Sequence, residues 1–272
     1  MILTGKRVLV TGSSSGIGLA AGRAMAAAGA RVVFTSERPL DAVPDVAAIV
    51  NEFPGSAYVP ANLLENDAAD RLVDSVTALL GGLDVLVNNL GTFREPAFLE
   101  ISRHDFDFIF GLNVWTAIAV TQAWVKRAGH RGGRILFTTS LNATRSEPAH
   151  TLYDASKGAI NALTRQLAVE LAPLGYITAA IAPGLVETPL TDFGLRSDPV
   201  ARRSIEEQIP IRKIATVEDI ADWFVFLASD AAKYATGIVI PVDGGLDAQQ
   251  MPSRPLTEAE RAAIMASASP SR

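Results

Sequence analysis

Short apolar runs alternate with longer amphipathic stretches along nearly the whole 272-residue chain, and this alternation restricts the fold more than any other property. Seven runs, at 7–11, 31–35, 56–60, 84–88, 134–139, 176–182 and 237–242, have strand length, and most are apolar enough to be covered on both faces. Helical periodicity fills 16–28, 67–80, 104–127, 153–172 and 217–228. Such repetition predicts an α/β fold: a doubly wound, mostly parallel sheet of seven strands with helices on both faces. No break in composition marks a second domain. Residues 1–248 therefore read as one domain and 249–272 as a C-terminal extension, where Thr257 and Glu260 have capping-box spacing and predict a short helix.

Composition removes several functions. With 49% hydrophobic residues the chain can bury a large core. Its net charge of −5 and scattered basic residues argue against a grip on nucleic acid. The absence of cysteine excludes disulfides, thiolate catalysis and cysteine-based zinc sites. His104, His130 and His150 are too far apart to form a metal-binding sequence pair, so no metal is expected. The first strand follows the N-terminus directly, without a leader, and no sequence run approaches membrane-spanning length. A soluble cytoplasmic protein without membrane partners is expected.

The first strand ends in Thr11-Gly12-Ser13-Ser14-Ser15-Gly16-Ile17-Gly18, ahead of an alanine-rich helix. Glycines at such a corner let backbone amides approach a pyrophosphate at the helix N-terminus, as in a Rossmann-type dinucleotide site. The same letters satisfy G-x-S-x-G, the nucleophile elbow of α/β-hydrolases. That elbow needs an oxyanion loop from an earlier strand and a late histidine, whereas only eleven residues precede Gly12 and no histidine follows His150. A ribose-reading residue belongs roughly 20 residues past the glycines, at Ser36-Glu37-Arg38. Glu37 could accept from an adenosine ribose hydroxyl and favour NAD. Ser36 and Arg38 could hold a 2′-phosphate and favour NADP, toward which the balance leans.

Tyr153-Asp154-Ala155-Ser156-Lys157 places a phenol and an ammonium four residues apart, on one helix face. A tyrosine ionises near ~10, so proton transfer at neutral pH asks for a shift of ~3 units, about 4 kcal/mol. One cation at ~4 Å supplies roughly that much at an effective dielectric near 20.

Taken together, these motifs over residues 5–247 resemble the classical short-chain dehydrogenase/reductase family. The glycine turn is Thr11 to Gly18, and Asn88-Asn89-Leu90-Gly91 resembles its N-N-A-G. Asn113 lies in the expected helix, and Ser140 precedes Tyr153 by thirteen residues. Lys157 completes Y-x-x-x-K. Pro183-Gly184 with Val186 and Thr188 is similar to the motif after strand six, and Val242-Asp243-Gly244-Gly245 to the closing V-D-G-G. The resemblance implies an NAD(P)-dependent oxidoreductase interconverting a carbonyl and a secondary alcohol.

By that resemblance the catalytic residues are Asn113, Ser140, Tyr153 and Lys157. Tyr153 is the general acid or base and Ser140 holds the substrate oxygen. Lys157 lowers the tyrosine pKa and holds the nicotinamide ribose, while Asn113 anchors a water that relays protons. The cofactor, NADP or NAD, would meet Gly12, Ser14, Ser15, Gly16, Ile17, Gly18, Ser36, Arg38, Asn62, Leu63, Asn89, Gly91, Tyr153, Lys157, Pro183, Gly184, Val186 and Thr188. Two residues depart from the family pattern. Leu90 replaces a small alanine, and Asn62 stands where an acidic residue often meets the adenine amine; its carbonyl oxygen can still accept from that amine.

Loops beyond the strand ends carry Thr92, Phe93, Arg94, Leu141, Asn142, Arg145, Glu147, His150, Leu185 and Phe193, a polar mixture suited to a sugar, polyol or hydroxy acid. Ser140, Asn142, Arg145, His150 and Tyr153 are the expected substrate contacts. A 3-oxoacyl thioester reductase is the alternative within the family. A non-catalytic dinucleotide-binding regulator would lack the proton-handling residues, and extended-family epimerases and dehydratases have a different glycine spacing. Residues 191–211, with Gly194, Pro199 and Pro210, resemble a mobile lid. Stretches 104–127 and 153–172 resemble the helices through which family members form dimers and tetramers, so a homo-oligomer is expected.

Overall fold

Residues at alternate positions of each strand face opposite sides of the sheet, and both sides are apolar. Val8 and Val10 of β1 (Arg7–Thr11) enter one core with Val32 and Phe34 of β2 (Arg31–Thr35), while Leu9 and Val33 enter the other. The computed structural model describes residues 1–191 and 198–250, together with Thr257 and Ala259. The expectation of a C-terminal helix, and the lid positions Phe193 and Gly194, lie outside the described residues.

The remaining strands are β3 (Ala57–Tyr58), β4 (Val85–Asn88), β5 (Gly133–Thr138), β6 (Tyr176–Pro183) and β7 (Ile238–Val242). All pairings are parallel, in the order β3-β2-β1-β4-β5-β6-β7. Connections run one way from β1 to β3 and the other way from β4 onward. The carboxyl ends of β1 and β4 therefore diverge into a crevice, the place where open α/β sheets bind ligands.

One face is covered by α1 (Gly16–Ala27), α2 (Pro44–Glu52) and α8 (Val217–Ala228), which bury Met25, Ile49 and Phe224. The other is covered by α3 (Ala68–Leu80), α5 (Thr116–Ala128) and α6 (Thr151–Leu171), which bury Leu72, Trp124 and Ile160. Shorter helices α4 (Arg103–Phe110) and α7 (Pro199–Glu206) lie near the crevice end.

Four sequence expectations change. The strand read at 56–60 shrinks to Ala57–Tyr58, paired only with Val33 and Phe34 at the sheet edge. Helix α2 went unread, although Pro44 at its first turn and Asp45 behind it are start signals. The stretch read as one helix over 104–127 is broken by a π-helical turn at Gly111–Trp115 that contains Asn113. By length and composition the run Arg103–Arg131 could cross a membrane, contrary to the expectation from the bare sequence, but Ile109, Val120 and Trp124 in it are buried in this fold.

Candidate active site

The crevice is a cleft of about 540 Å3. One end is lined by Ser36, Glu37, Asn62 and Leu63, the middle by Gly12 and Ser14 to Ile17 with Asn89 to Gly91, and the far end by Ser140, Tyr153, Lys157, Pro183, Gly184, Val186 and Thr188.

Backbone shape makes the middle. Gly12 and Gly16 sit at φ +61° and +57°, the left-handed region that glycine enters without penalty. A Cβ on Gly12 would stand 2.7 Å from the Cα of Leu90, and one on Gly18 would stand 2.4 Å from both the Gly12 carbonyl and the Asn89 amide nitrogen. Gly18 is thus required for packing beneath the turn. Buried Ser13 holds the corner by donating to the Val10 carbonyl and accepting from the Thr35 amide, both at 2.8 Å. Asn89 is the strut between the turn and β5: its Nδ2 donates to the Gly12 carbonyl at 3.0 Å and its Oδ1 accepts from Thr138 Oγ1 at 2.9 Å. Ser15, the N-cap residue of α1, makes no side-chain hydrogen bond to the first turn, so among the described residues its first amides are available to an anion.

A dinucleotide fits this construction: the turn has no room for a Cβ at Gly12 or Gly18, a helix N-terminus faces the cleft, and hydroxyl and amide side chains line both ends. Leu90 lines the cleft beside the turn. Its side chain packs against the core on the β4 side while its backbone lies against Gly12.

At the far end Ser140 and Lys157 are buried and Tyr153 is half-buried. Tyr153 and Lys157 lie one turn apart on α6, with Lys157 Nζ 5.6 Å from the phenol ring centroid. Nζ donates to the Thr138 carbonyl at 3.0 Å, and burial lowers its pKa to about 8. Burial raises the pKa of Tyr153; a hydrogen bond with Ser140 works against this, and the charges of Asp154 and Glu147 reinforce it. The expectation that Lys157 depresses the tyrosine pKa is therefore not met in this geometry: the ammonium lies against the ring, and desolvation outweighs the lowering influences.

Asn113 is buried and fully engaged through its side chain. Its Oδ1 accepts from the Thr92 amide at 2.8 Å; its Nδ2 donates to the Thr92 carbonyl at 2.8 Å and to Ser156 Oγ at 3.0 Å. Ser156 in turn donates to the Tyr153 carbonyl at 2.7 Å. The amide thus ties the loop after β4 to α6.

Other expected contacts are placed differently. Arg38 turns its guanidinium to the Ala42 carbonyl, leaving Ser36 and Glu37 to line the cleft. Ser36 Oγ is 2.7 Å from the Tyr58 hydroxyl, a partner on β3 that sequence reading did not identify. The Asn62 carbonyl oxygen accepts from the Leu64 amide at 3.2 Å. Arg145 is bound to Asp247 through Nε at 3.0 Å and is drawn off the cleft toward the segment after β7. His150 packs on Phe93 and Tyr153 at ring-centroid distances of 5.6 and 5.8 Å. The Asn142 side-chain amide donates to Asp154 Oδ1 at 2.9 Å. Among the described residues no cluster suits a metal ion.

The family model described as enoyl-(acyl carrier protein) reductase matches residues 12–247. L-xylulose reductase of Bos taurus is 35% identical over 89% of this chain and 97% of its own length. The 3-oxoacyl-(acyl-carrier-protein) reductase of Aquifex aeolicus is 33% identical over 90% of this chain and 98% of its own. A short-chain dehydrogenase from Burkholderia cenocepacia, solved in complex with NADP, superposes with a TM-score of 0.83 at 32% identity, covering 91% of this chain and all of the other. With a parallel seven-stranded sheet, a glycine turn at its switch point and a tyrosine-lysine pair across the cleft, the chain belongs to the classical short-chain dehydrogenase/reductase family and is an NAD(P)-dependent oxidoreductase.

Proposed function

We propose that the chain reduces the keto group of a small sugar, and in reverse oxidises the corresponding polyol, with Tyr153 as the proton donor and acceptor. The observation that carries this reading is the Tyr153 side chain, half-buried at the cleft end that it lines together with Ser140 and Lys157. Because burial raises its pKa, Tyr153 holds its proton at neutral pH, the state needed to protonate an oxygen as a carbonyl is reduced. Ser140 Oγ would hold that oxygen beside the phenol. Lys157, protonated below about 8, is the cation that would receive ribose hydroxyls. The nicotinamide, when bound, supplies or accepts the hydride. Gly12 to Gly18, Asn89, Gly91, Pro183, Gly184, Val186 and Thr188 would hold the dinucleotide. Asn113 would place the relay toward solvent through the π turn on which it sits.

Hydroxyls of Thr92, Ser140 and Thr191 beside the Phe93 ring suit a ring or chain with both polar and C–H faces. The named activity of the Bos taurus relative supports the sugar class. The Aquifex relative supports the second reading, a 3-oxoacyl thioester reductase. Ser36 in the cleft and Arg38 behind it support NADP; Arg38→Ala should raise the KM for NADPH several-fold and leave NADH unchanged. Exposed Phe106, Phe108, Trp115 and Val169, on and around α4 to α6, support a homodimer or homotetramer, which sedimentation at assay concentration tests.

The deciding experiment follows reduced-nicotinamide absorbance with ketoses including L-xylulose, polyols, hydroxy acids and a short 3-oxoacyl thioester, using both cofactors. Turnover of a ketose, lost in Tyr153→Phe, is expected. A thioester turned over in preference to every sugar would replace the first reading with the second.

A further inference from the structure

Helix α6 carries both Tyr153 and Lys157, yet it has no cap of its own. Its N-cap residue, His150, makes no side-chain hydrogen bond to the first turn. A capping side chain ordinarily accepts from the second or third helical amide, here Leu152 and Tyr153. Both amides instead donate to one carboxylate oxygen from elsewhere in the chain. Glu95 Oε2 accepts from the Leu152 N–H at 2.8 Å and from the Tyr153 N–H at 3.1 Å.

Glu95 stands in the loop after β4, three residues past Thr92 and two past Phe93. Its other oxygen, Oε1, is buried without a hydrogen-bond partner. An unpartnered carboxylate oxygen away from water is costly, and global stability alone gives no reason to retain it. Its position gives another reason. The Tyr153 peptide is gripped from both sides: Glu95 holds its N–H, while Ser156, itself held by Asn113, holds its carbonyl. The loop is gripped at two points as well, Thr92 by Asn113 and Glu95 by the helix. Phe93, fixed between them, packs its ring edge-on to the phenol at a centroid distance of 6.0 Å.

We propose that Glu95 is a positioning residue for catalysis: by capping α6 from the loop after β4, it sets where the Tyr153 hydroxyl stands relative to Ser140 and to the Phe93 wall. The inference rests on Tyr153 as the proton donor. An anion is also the favoured charge at a helix N-terminus, so the carboxylate suits both the amides and the helix dipole. Misplacement of a reacting group by about 1 Å costs on the order of 100-fold in rate, so a loosened cap is expressed in kcat.

The test compares Glu95→Ala, which removes both acceptor bonds, with Glu95→Gln, whose amide oxygen can still accept both N–H groups. NADPH and the fastest-reduced ketose of the screen are used, with folded protein counted by cofactor titration. Glu95→Ala should lower kcat roughly 30- to 100-fold, keep cofactor Kd within about twofold, and enlarge the solvent deuterium effect as proton transfer becomes limiting. Glu95→Gln should recover kcat to within about fivefold of the parent. A merely structural role would reduce the folded fraction and leave kcat per folded site unchanged. The proposal is overturned if folded Glu95→Ala keeps parental kcat, or if the Ala and Gln variants lose equally. Should Glu95→Ala not fold, Glu95→Asp, one methylene short of the helix, takes its place under the same criteria. Tyr153→Phe separates the two ideas: turnover persisting in that variant removes the proton-donor reading itself, whereas an inert Tyr153→Phe beside a parent-like Glu95→Ala removes only the positioning role.

Discussion

The two ends of the cleft are made of different materials. Around Gly12 to Gly18 the site is backbone: left-handed glycines, helix amides and close approach to Leu90, where what matters is the absence of side-chain atoms. Around Tyr153 the site is buried side chains, held by Thr138, Ser140, Ser156 and Asn113, where what matters is proton affinity. The first end is satisfied by shape and costs the fold little. The second places a lysine, 5% exposed, where its ammonium is penalised by burial, so it spends stability on chemistry.

Substitutions at the two ends should separate these characters. The largest effect is expected for Tyr153→Phe, a fall in kcat of about 10²–10⁴-fold with cofactor Kd nearly unchanged, measured by steady-state kinetics and fluorescence titration. Lys157→Met should also remove activity while stabilising the cofactor-free protein by up to about 3 kcal/mol. The sign follows from linkage: the folded pKa, about 8, lies below the unfolded value, 10.5, so the parent gains stability as pH rises between them. The advantage of the methionine variant should therefore be full below pH 8 and shrink above it; denaturant melts at pH 7 and pH 10 compare the two. An unchanged or lower stability at pH 7 would show that the buried ammonium is satisfied rather than penalised.

At the backbone end, Gly12→Ala should weaken cofactor binding at least about tenfold and cost roughly 1–3 kcal/mol of stability, because the new Cβ meets Leu90 and the φ is left-handed. Catalysis at saturating cofactor should survive, the opposite of Tyr153→Phe. An ion pair remote from both ends supplies the reference. Burial pushes the Asp84 carboxyl up, but its hydrogen bonds with Arg7, at 2.8 and 2.6 Å from the guanidinium, bring the pKa below the usual carboxylate range. Asp84→Asn should cost about 1 kcal/mol at pH 7 after allowance for its partial exposure, and less as pH falls through the folded pKa; kcat should not change. Smallest of all, Arg145→Ala should alter kcat/KM by less than threefold, since Asp247 rather than the cleft holds the guanidinium. A larger loss would show that Arg145 leaves Asp247 when substrate binds.

Contacts close in sequence were legible, and contacts between distant loops were not. Strands β1 and β2 were read to the residue because burial on both faces leaves uninterrupted apolar runs. The glycine turn and the Tyr153–Lys157 pair were legible because each acts within one or two helical turns. Asn113 was placed correctly along the chain, but its grip on Thr92 and Ser156 depends on a π turn that periodicity does not reveal. Arg145 looked like a substrate contact because its partner lies 102 residues away, and Glu95 escaped notice because its helix lies 57 residues away.

By itself, then, the chain's amino-acid order determined the parallel α/β architecture, the glycine turn and the pairing of Tyr153 with Lys157 on one helix face, since each rests on local periodicity or short spacing. Tertiary structure alone decided how deeply Tyr153 and Lys157 are buried, and hence the direction of their pKa shifts. It also decided which loop charges face the cleft and which carboxylate caps α6. Desolvation and long-range hydrogen bonds are properties of surroundings, and a chain acquires surroundings only when distant segments meet.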